Sequence, residues 1–101
     1  MNTQYDTTLN EDIETDTSTI DGSLSRLVIY NDDFNTFDWV IQCLMEICQH
    51  TEEQAEQLSL IIHFKGKATV KTGSYEDLVP RKDALIERGL SVVIETEFKK
   101  A

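Results

Sequence analysis

The stretch "VIYNDDFNTFDWV", residues 28–40, joins a short apolar run to a run in which polar and aromatic residues alternate. Its first part, residues 28–30, is β-branched and aromatic, which is typical of a strand. Thr36 or Asn35 can cap a helix that begins near Asp38, where a carboxylate favours the positive end of the helix dipole. The stretch predicts a strand-to-helix junction with more carboxylates, amides and aromatic rings than a turn needs.

Two helices are expected after this junction. Apolar residues recur at helical spacing, which indicates one buried helix face, at positions 37, 40, 41, 44, 47 and 48. Thr51 and Gln54 form a predicted capping box for a second helix, which ends at about His63 or Phe64. Gly66 suits the left-handed position that follows a helix.

A third helix is expected further on, although its start is ambiguous. Ser74 with Asp77 resembles a helix start, but Pro80 conflicts with a helix interior because proline has no amide hydrogen to donate. The sequence therefore predicts a turn over residues 75–78 and a main helix over about 79–88.

Two further β-rich runs predict strands at residues 68–72 and 92–94. With the first strand, they give the element order β-α-α-β-α-β. This order predicts an α+β fold in which a three-stranded antiparallel sheet packs against three helices on one face.

Composition divides the chain unevenly. Residues 1–25 hold six carboxylates, no Lys or Arg, and only isolated apolar residues. Such a segment buries too little apolar surface to offset its ordering entropy, so we expect a flexible, disordered acidic tail over 1–25 and a folded domain over 26–101. The net charge of −10 argues against nucleic-acid partners and disfavours anionic membranes.

Neither an apolar run long enough to span a membrane nor a signal peptide is evident in the sequence, which favours a cytoplasmic protein. Cys43 and Cys48 lie five residues apart in one helical pattern. That spacing is poor for a disulfide and matches no metal motif, so we expect reduced, buried thiols.

The 28–40 stretch, the segment "EQAEQLSLIIHFKGKA" at 53–68 and the terminal strand from Ser91 together resemble the ClpS family, the adaptors of bacterial ATP-dependent Clp proteases. The resemblance implies a non-enzymatic, monomeric α/β domain without cofactor or metal, behind a flexible tail. It also implies binding of substrate proteins that begin with Phe, Tyr, Trp or Leu. By the same resemblance, the adaptor delivers these substrates to an Hsp100 unfoldase, ClpA or ClpC, whose N-domain docks the adaptor.

The resemblance also implies roles for individual residues. A free α-amino group is a cation with three donors, so it needs acceptors and a negative charge. Asn31, Asp32 and His63 match the family positions that surround this group, and Asn35 matches a position that contacts the substrate backbone. The positions that match the slot for the first side chain are Phe37, Val40, Ser59, Ile62 and Val92. Unfoldase docking is expected at Glu76 and Lys82.

Three departures from the family pattern affect this expectation. Thr36 replaces a common Pro, Phe37 replaces a common Met, and Ser59 stands where a large apolar residue is usual. The last two change the shape of the slot. An alternative is therefore an adaptor that keeps the fold and the unfoldase but has lost or altered N-terminal residue recognition.

Two simpler interpretations stay open. The Asn31-Asp32-Asp33 run can be an Asx-type turn alone, and His63 can be a structural histidine. A hydrolase or metal enzyme built on Asp32, Asp33 and His63 is disfavoured, because the sequence offers neither a nucleophile beside a base nor a metal-binding spacing.

Overall fold

The structure is a computed structural model that describes residues 23–98 of the 101-residue chain. In chain order its elements are β1 (Ser23–Tyr30), α1 (Phe37–Ile47), α2 (Glu52–Lys65), β2 (Lys67–Gly73), α3 (Tyr75–Glu87) and β3 (Ser91–Phe98). The predicted order and the α+β class are confirmed.

The three strands form one antiparallel sheet with β1 at its centre, between β2 and β3. Leu27 and Ile29 of β1 lie on one face, since side chains two residues apart point the same way. Both belong to the core, to which all three helices contribute, among them Leu44 of α1 and Leu85 of α3. The core therefore lies between one face of the sheet and the helices, as predicted.

Charged side chains occupy the opposite face of the sheet. Arg26 pairs with Glu97 at 3.0 Å and with Glu95 at 3.7 Å, and Lys67 lies 3.8 Å from Glu95. Val28 of β1 lies between Leu27 and Ile29, whose side chains point into the core, yet it is itself buried. A layer of paired charges on a sheet face that no helix covers is the arrangement expected at a solvated surface.

The predicted helix boundaries hold where the sequence carries a capping signal. Thr36, rather than Asn35, is the N-cap of α1, and its side chain accepts from the Trp39 amide. The capping box of Thr51 and Gln54 is present at the start of α2. Gly66 ends that helix with φ 94°, in the left-handed region.

The prediction for the third helix is wrong at its start. α3 includes the residues expected to form a turn, because Ser74 caps it by accepting from the Asp77 amide at 3.1 Å. Pro80 is accommodated inside the helix. Its missing amide hydrogen deprives the carbonyl of Glu76, one turn earlier, of a helical partner. Glu76 is exposed, so water can replace that hydrogen bond.

The predicted boundary between tail and folded domain lies three residues too late. β1 begins at Ser23, and Ser25 is buried and lies 2.9 Å from the hydroxyl of Thr96 on β3. The remainder of the tail predicted for residues 1–25, residues 1–22, lies outside the described residues and stays a prediction.

Cys43 and Cys48 are both buried and unbridged, as predicted. Burial raises the pKa of each thiol above its ordinary value. Within residues 23–98, no helix combines the length and apolarity that crossing a membrane requires. A cytoplasmic location stays a prediction.

Candidate functional site

One backbone hydrogen bond connects the loop after β1 to the end of α2. The amide of Asn31 donates to the carbonyl of Gly66 at 2.9 Å. Gly66 presents this carbonyl because it turns the chain through a left-handed conformation directly after the helix. The hydrogen bond brings the last turn of α2, with His63, beside the Asn-Asp-Asp run.

A cavity of about 420 Å³ opens between this loop, the start of α1 and α2. Its lining residues are Asn31, Asp32, Asp33, Asn35, Phe37, Val40, Ser59, Leu60, Ile62, His63 and Phe64. Three of them, Val40, Ser59 and Ile62, are buried and form the floor, whereas the others are partly or fully exposed and form the mouth. Most residues expected at a binding site thus share one cavity.

Asp32 organises the loop at the mouth of the cavity. Its Oδ1 accepts from the backbone amides of Phe34 and Asn35, each at 2.9 Å. The side-chain amide of Asn35 donates to both carboxylate oxygens, and the hydroxyl of Ser91 donates to Oδ2 at 3.1 Å. The contact to Phe34, two residues on, is an Asx-type turn, so the structural role considered from the sequence is present.

These hydrogen bonds also set the charge of Asp32. Burial by itself would raise the pKa of the carboxyl group. The hydrogen bonds from the Asn35 and Phe34 amides and from the Asn35 and Ser91 side chains outweigh that effect and hold the pKa below its ordinary value. The mouth of the cavity therefore carries a carboxylate at neutral pH.

Asn35 joins the loop to the turn between α3 and β3. Besides contacting Asp32, its side-chain nitrogen donates to the carbonyl of Gly89 at 2.9 Å. Gly89 adopts φ 92°, which a residue with a side chain rarely does. The resemblance implied that Asn35 contacts the substrate backbone. Here its nitrogen instead donates to Asp32 and to Gly89, within the protein itself.

Asn31 and His63 differ from Asp32 in their bonding. Both are exposed at the cavity mouth, and within residues 23–98 neither side chain takes part in a hydrogen bond. The ring of Phe64 meets the His63 ring edge-on, with 4.9 Å between their centroids. These two side chains keep their acceptor atoms available to a bound group.

Val92, expected as a wall of the slot, does not line the cavity. It pairs in register with Ile29 and points into the core between sheet and helices. Leu60 and Phe64, to which sequence reasoning gave no role at the site, line the cavity instead. The signal in the sequence was adjacency, since each of them directly follows an expected site residue on α2.

The two expected docking residues lie on α3, which contributes nothing to the cavity lining. Glu76 is exposed in the first turn of the helix, and Lys82 lies 3.8 Å from Asp83. Six residues apart in an α-helix, Glu76 and Lys82 point about 120° away from each other. A surface that used both would have to extend around the helix.

Within the described part of the chain, His, Cys, Asp and Glu side chains form no group of three or more that could hold a metal ion. The carboxylate of Asp32 is instead surrounded by hydrogen-bond donors. The chemistry available at the mouth is therefore that of an anion with two neighbouring polar acceptors.

Comparison with known proteins decides the family. The model of the family "ATP-dependent Clp protease adaptor protein ClpS" matches residues 22–93. The chain belongs to the ClpS family. The matched segment includes the whole cavity, so the residues described above lie in the family domain itself.

Individual relatives agree with this assignment. The ClpS adapter of Thermosynechococcus vestitus is 35% identical over 68 residues, covering 66% of this chain and 72% of that protein. That of Acetivibrio thermocellus is 33% identical over 76 residues, covering 75% and 73%. The structure of Agrobacterium tumefaciens ClpS2 bound to L-phenylalaninamide matches with a TM-score of 0.61 and 20% identity, over 77% of this chain and 99% of that one.

Membership makes this protein an adaptor of the Clp protease, in a family of non-catalytic adaptors that work with Clp chaperones and their substrates. The structural match adds that the fold is that of a ClpS protein.

Proposed function

We propose that this chain binds the N-terminal residue of substrate proteins when that residue is Phe, Tyr, Trp or Leu, and delivers them to a Clp Hsp100 unfoldase. The observation that carries the proposal is the composition of one cavity. Its floor is buried and mostly apolar, and its mouth holds a carboxylate beside two polar side chains without partners in the described protein. A protein N-terminus presents the complementary pair, an ammonium group next to a side chain.

The ammonium group would be held by two kinds of interaction. Asn31 and His63 accept its hydrogens directly or through water. Asp32 acts chiefly through its negative charge, because five contacts already converge on its two oxygens and a carboxylate has about four lone-pair sites. A direct bond to Asp32 requires Ser91 or Asn35 to give up its own.

The first side chain of the substrate would enter the slot. Val40 and Ile62 offer an apolar floor, and the ring of Phe37, 39% exposed, stands at the mouth. Burying an aromatic or leucine side chain there is favourable by about 1.5 to 3 kcal/mol. Small or charged first residues gain little from the same floor, which gives the proposed preference its physical basis.

The Agrobacterium tumefaciens ClpS2 structure contains a bound ligand, L-phenylalaninamide, that resembles an N-terminal residue. L-phenylalaninamide has a free α-amino group and a phenyl side chain. The fold similarity to that protein supports, for this chain, a ligand with both features.

Delivery calls for a second surface. We propose that α3 docks on the N-domain of an unfoldase of the ClpA or ClpC type, with Glu76 and Lys82 contributing, and that the adaptor acts as a monomer. Reversing each charge, by Glu76→Lys and Lys82→Glu, should weaken unfoldase binding and leave peptide binding unchanged, because α3 is separate from the cavity lining.

Altered recognition is the second candidate, and two residues favour it. Phe37 places an aromatic ring at the mouth, and Ser59 places a hydroxyl on the floor. In that case the adaptor would still bind the unfoldase but accept few or none of the four first residues.

Fluorescence anisotropy with peptides that differ only in the first residue tests the proposal. Peptides beginning with Phe, Tyr, Trp or Leu should bind, and those beginning with Ser, Arg, Val or Ile should bind at least tenfold more weakly. Equal binding of Phe- and Ser-initiated peptides would contradict first-residue recognition and favour the second candidate.

A further inference from the structure

The floor of the cavity contains a hydroxyl group that has no hydrogen-bond partner. Ser59 is 2% exposed, and its Oγ is one of two buried side-chain polar atoms without a partner in the described chain. The other, Nε of Arg81, lies on α3 outside the cavity lining. A buried hydroxyl without a partner inside the protein is unfavourable unless a water or a ligand supplies one. Because Ser59 lines the cavity, a bound ligand can supply that partner.

Ser25 offers an internal comparison. Within the described residues it is the other buried polar residue, 1% exposed, and its hydroxyl lies 2.9 Å from that of Thr96. The two serines are almost equally buried, but only the hydroxyl of Ser25 has a hydrogen-bond partner. The unpaired one lines the candidate binding cavity and the paired one does not.

We infer that the Ser59 hydroxyl hydrogen-bonds the phenolic hydroxyl of an N-terminal tyrosine, and that the slot prefers Tyr to Phe as the first residue. This inference rests on the proposed function. Of the four proposed first residues, Phe, Tyr, Trp and Leu, tyrosine would then bind most tightly to the floor of the cavity.

The position of Ser59 on α2 suits this contact. Ser59 and His63 are four residues apart, so they lie on the same face of the helix, about 6 Å apart along its axis. With the α-amino group beside His63, a side chain that runs back along α2 by one turn reaches Ser59 with the far end of a tyrosine ring. A leucine side chain is too short to reach it.

The chemistry of the two hydroxyls is complementary. A serine hydroxyl donates one hydrogen and accepts others, as does a phenol, so either group can be the donor. A phenylalanine ring would fill the same space but leave Oγ of Ser59 unpaired and now sealed from water. Sites with a buried polar group discriminate against ligands that lack its partner for this reason.

The test compares Tyr- and Phe-initiated peptides of otherwise identical sequence by anisotropy, on the full chain and on Ser59→Ala. The full chain should bind the Tyr peptide about three- to tenfold more tightly, the range expected for one net hydrogen bond. Ser59→Ala should abolish that ratio. Ser25→Ala, the matched control, should leave it unchanged.

Thermal unfolding of the ligand-free proteins gives a second readout. Ser59→Ala should raise the melting temperature, because it removes an unpaired buried hydroxyl and places a better helix former in α2. Ser25→Ala should lower it. A fall for Ser59→Ala would mean that the hydroxyl has a partner inside the protein, and the inference would be wrong.

The binding outcomes separate this inference from the function on which it rests. If both peptides bind with equal affinity, or if the preference for Tyr survives in Ser59→Ala, the hydroxyl contact is wrong and N-terminal residue binding stands. If neither free peptide binds, or if acetylated peptides bind equally well, the proposed function itself fails.

Discussion

The side-chain amide of Asn35 donates to both carboxylate oxygens of Asp32, at 3.1 and 2.9 Å. The same nitrogen lies 2.9 Å from the carbonyl of Gly89, so one amide group holds the Asp32 loop against the turn between α3 and β3. The residue that supplies the negative charge of the site is therefore positioned by the residue three places later. Binding and loop stability are coupled at this point.

Asp32→Ala should lower both stability and peptide affinity. It leaves the amides of Phe34 and Asn35 without their acceptor, which should cost about 1 to 2 kcal/mol of unfolding free energy. Loss of the charge beside the ammonium group should cost about 2 to 4 kcal/mol of peptide binding. Chemical denaturation and anisotropy measure the two effects.

Asp33→Ala is the matched control for that variant. Asp33 is exposed at the same cavity mouth, and none of the loop contacts described above involves it. Its replacement should change stability by less than about 0.5 kcal/mol and affinity by less than Asp32→Ala does. Equal effects of the two variants would mean that only general negative charge matters at the mouth.

Asn31→Ala and Asn35→Ala should separate ligand contact from loop support. Within residues 23–98 the Asn31 side chain makes no hydrogen bond, so its truncation should weaken peptide binding by about 1 to 2 kcal/mol and leave the melting temperature nearly unchanged. Asn35→Ala breaks the contacts to Asp32 and Gly89 and should lower both affinity and melting temperature. The reverse pattern would assign the ligand contact to Asn35.

Lowering the pH should reduce the free energy of unfolding, partly through protonation of Asp32. Its pKa in the folded chain lies below the ordinary value of 3.8, so the folded state favours the ionised form. The stability it contributes is fully present above the unfolded pKa and is lost as pH falls through the folded pKa. The Asp32→Asn variant lacks this pH-dependent contribution to stability, because its side chain does not ionise. Unfolding free energy between pH 5 and 3 should therefore fall less steeply in the variant, and parallel curves would contradict the assignment.

Deletion of residues 1–22 tests where the folded domain begins. β1 starts at Ser23, so the melting temperature and peptide affinity should stay nearly unchanged, while delivery to the unfoldase should be impaired. Deletion of residues 1–25 is the sharper comparison, because it also removes the buried Ser25 and its contact with Thr96. That variant should melt at a lower temperature, and equal melting of both would place the boundary later in the chain.

More of the fold than of the candidate site could be predicted from the sequence. Caps at Thr51 and Gly66 are local signals, since a side chain or a missing Cβ acts on the nearest turn, and both were correct. The start of α3 was misplaced because the cap at Ser74 outweighs the local conflict at Pro80.

Site residues in the loop and on α1 and α2 could be assigned from their motifs and meet in one cavity. The position of Val92 outside the cavity lining could not be predicted, because the face on which its side chain lies depends on the register of β3 against β1. The hydrogen bond from Ser91 to Asp32 joins residues far apart in the chain, and no local pattern predicts it.

The most direct test of N-terminal recognition is the affinity of the wild-type chain for one Phe-initiated peptide, measured with the α-amino group free and acetylated. Acetylation removes the positive charge and two hydrogens and leaves the phenyl ring intact. We predict that it abolishes most of the affinity, and that Asp32→Ala costs little further for the acetylated peptide, because both changes remove one shared interaction. Equal affinity for the free and acetylated peptides would contradict the account, and would leave the Asn-Asp-Asp run as a structural turn.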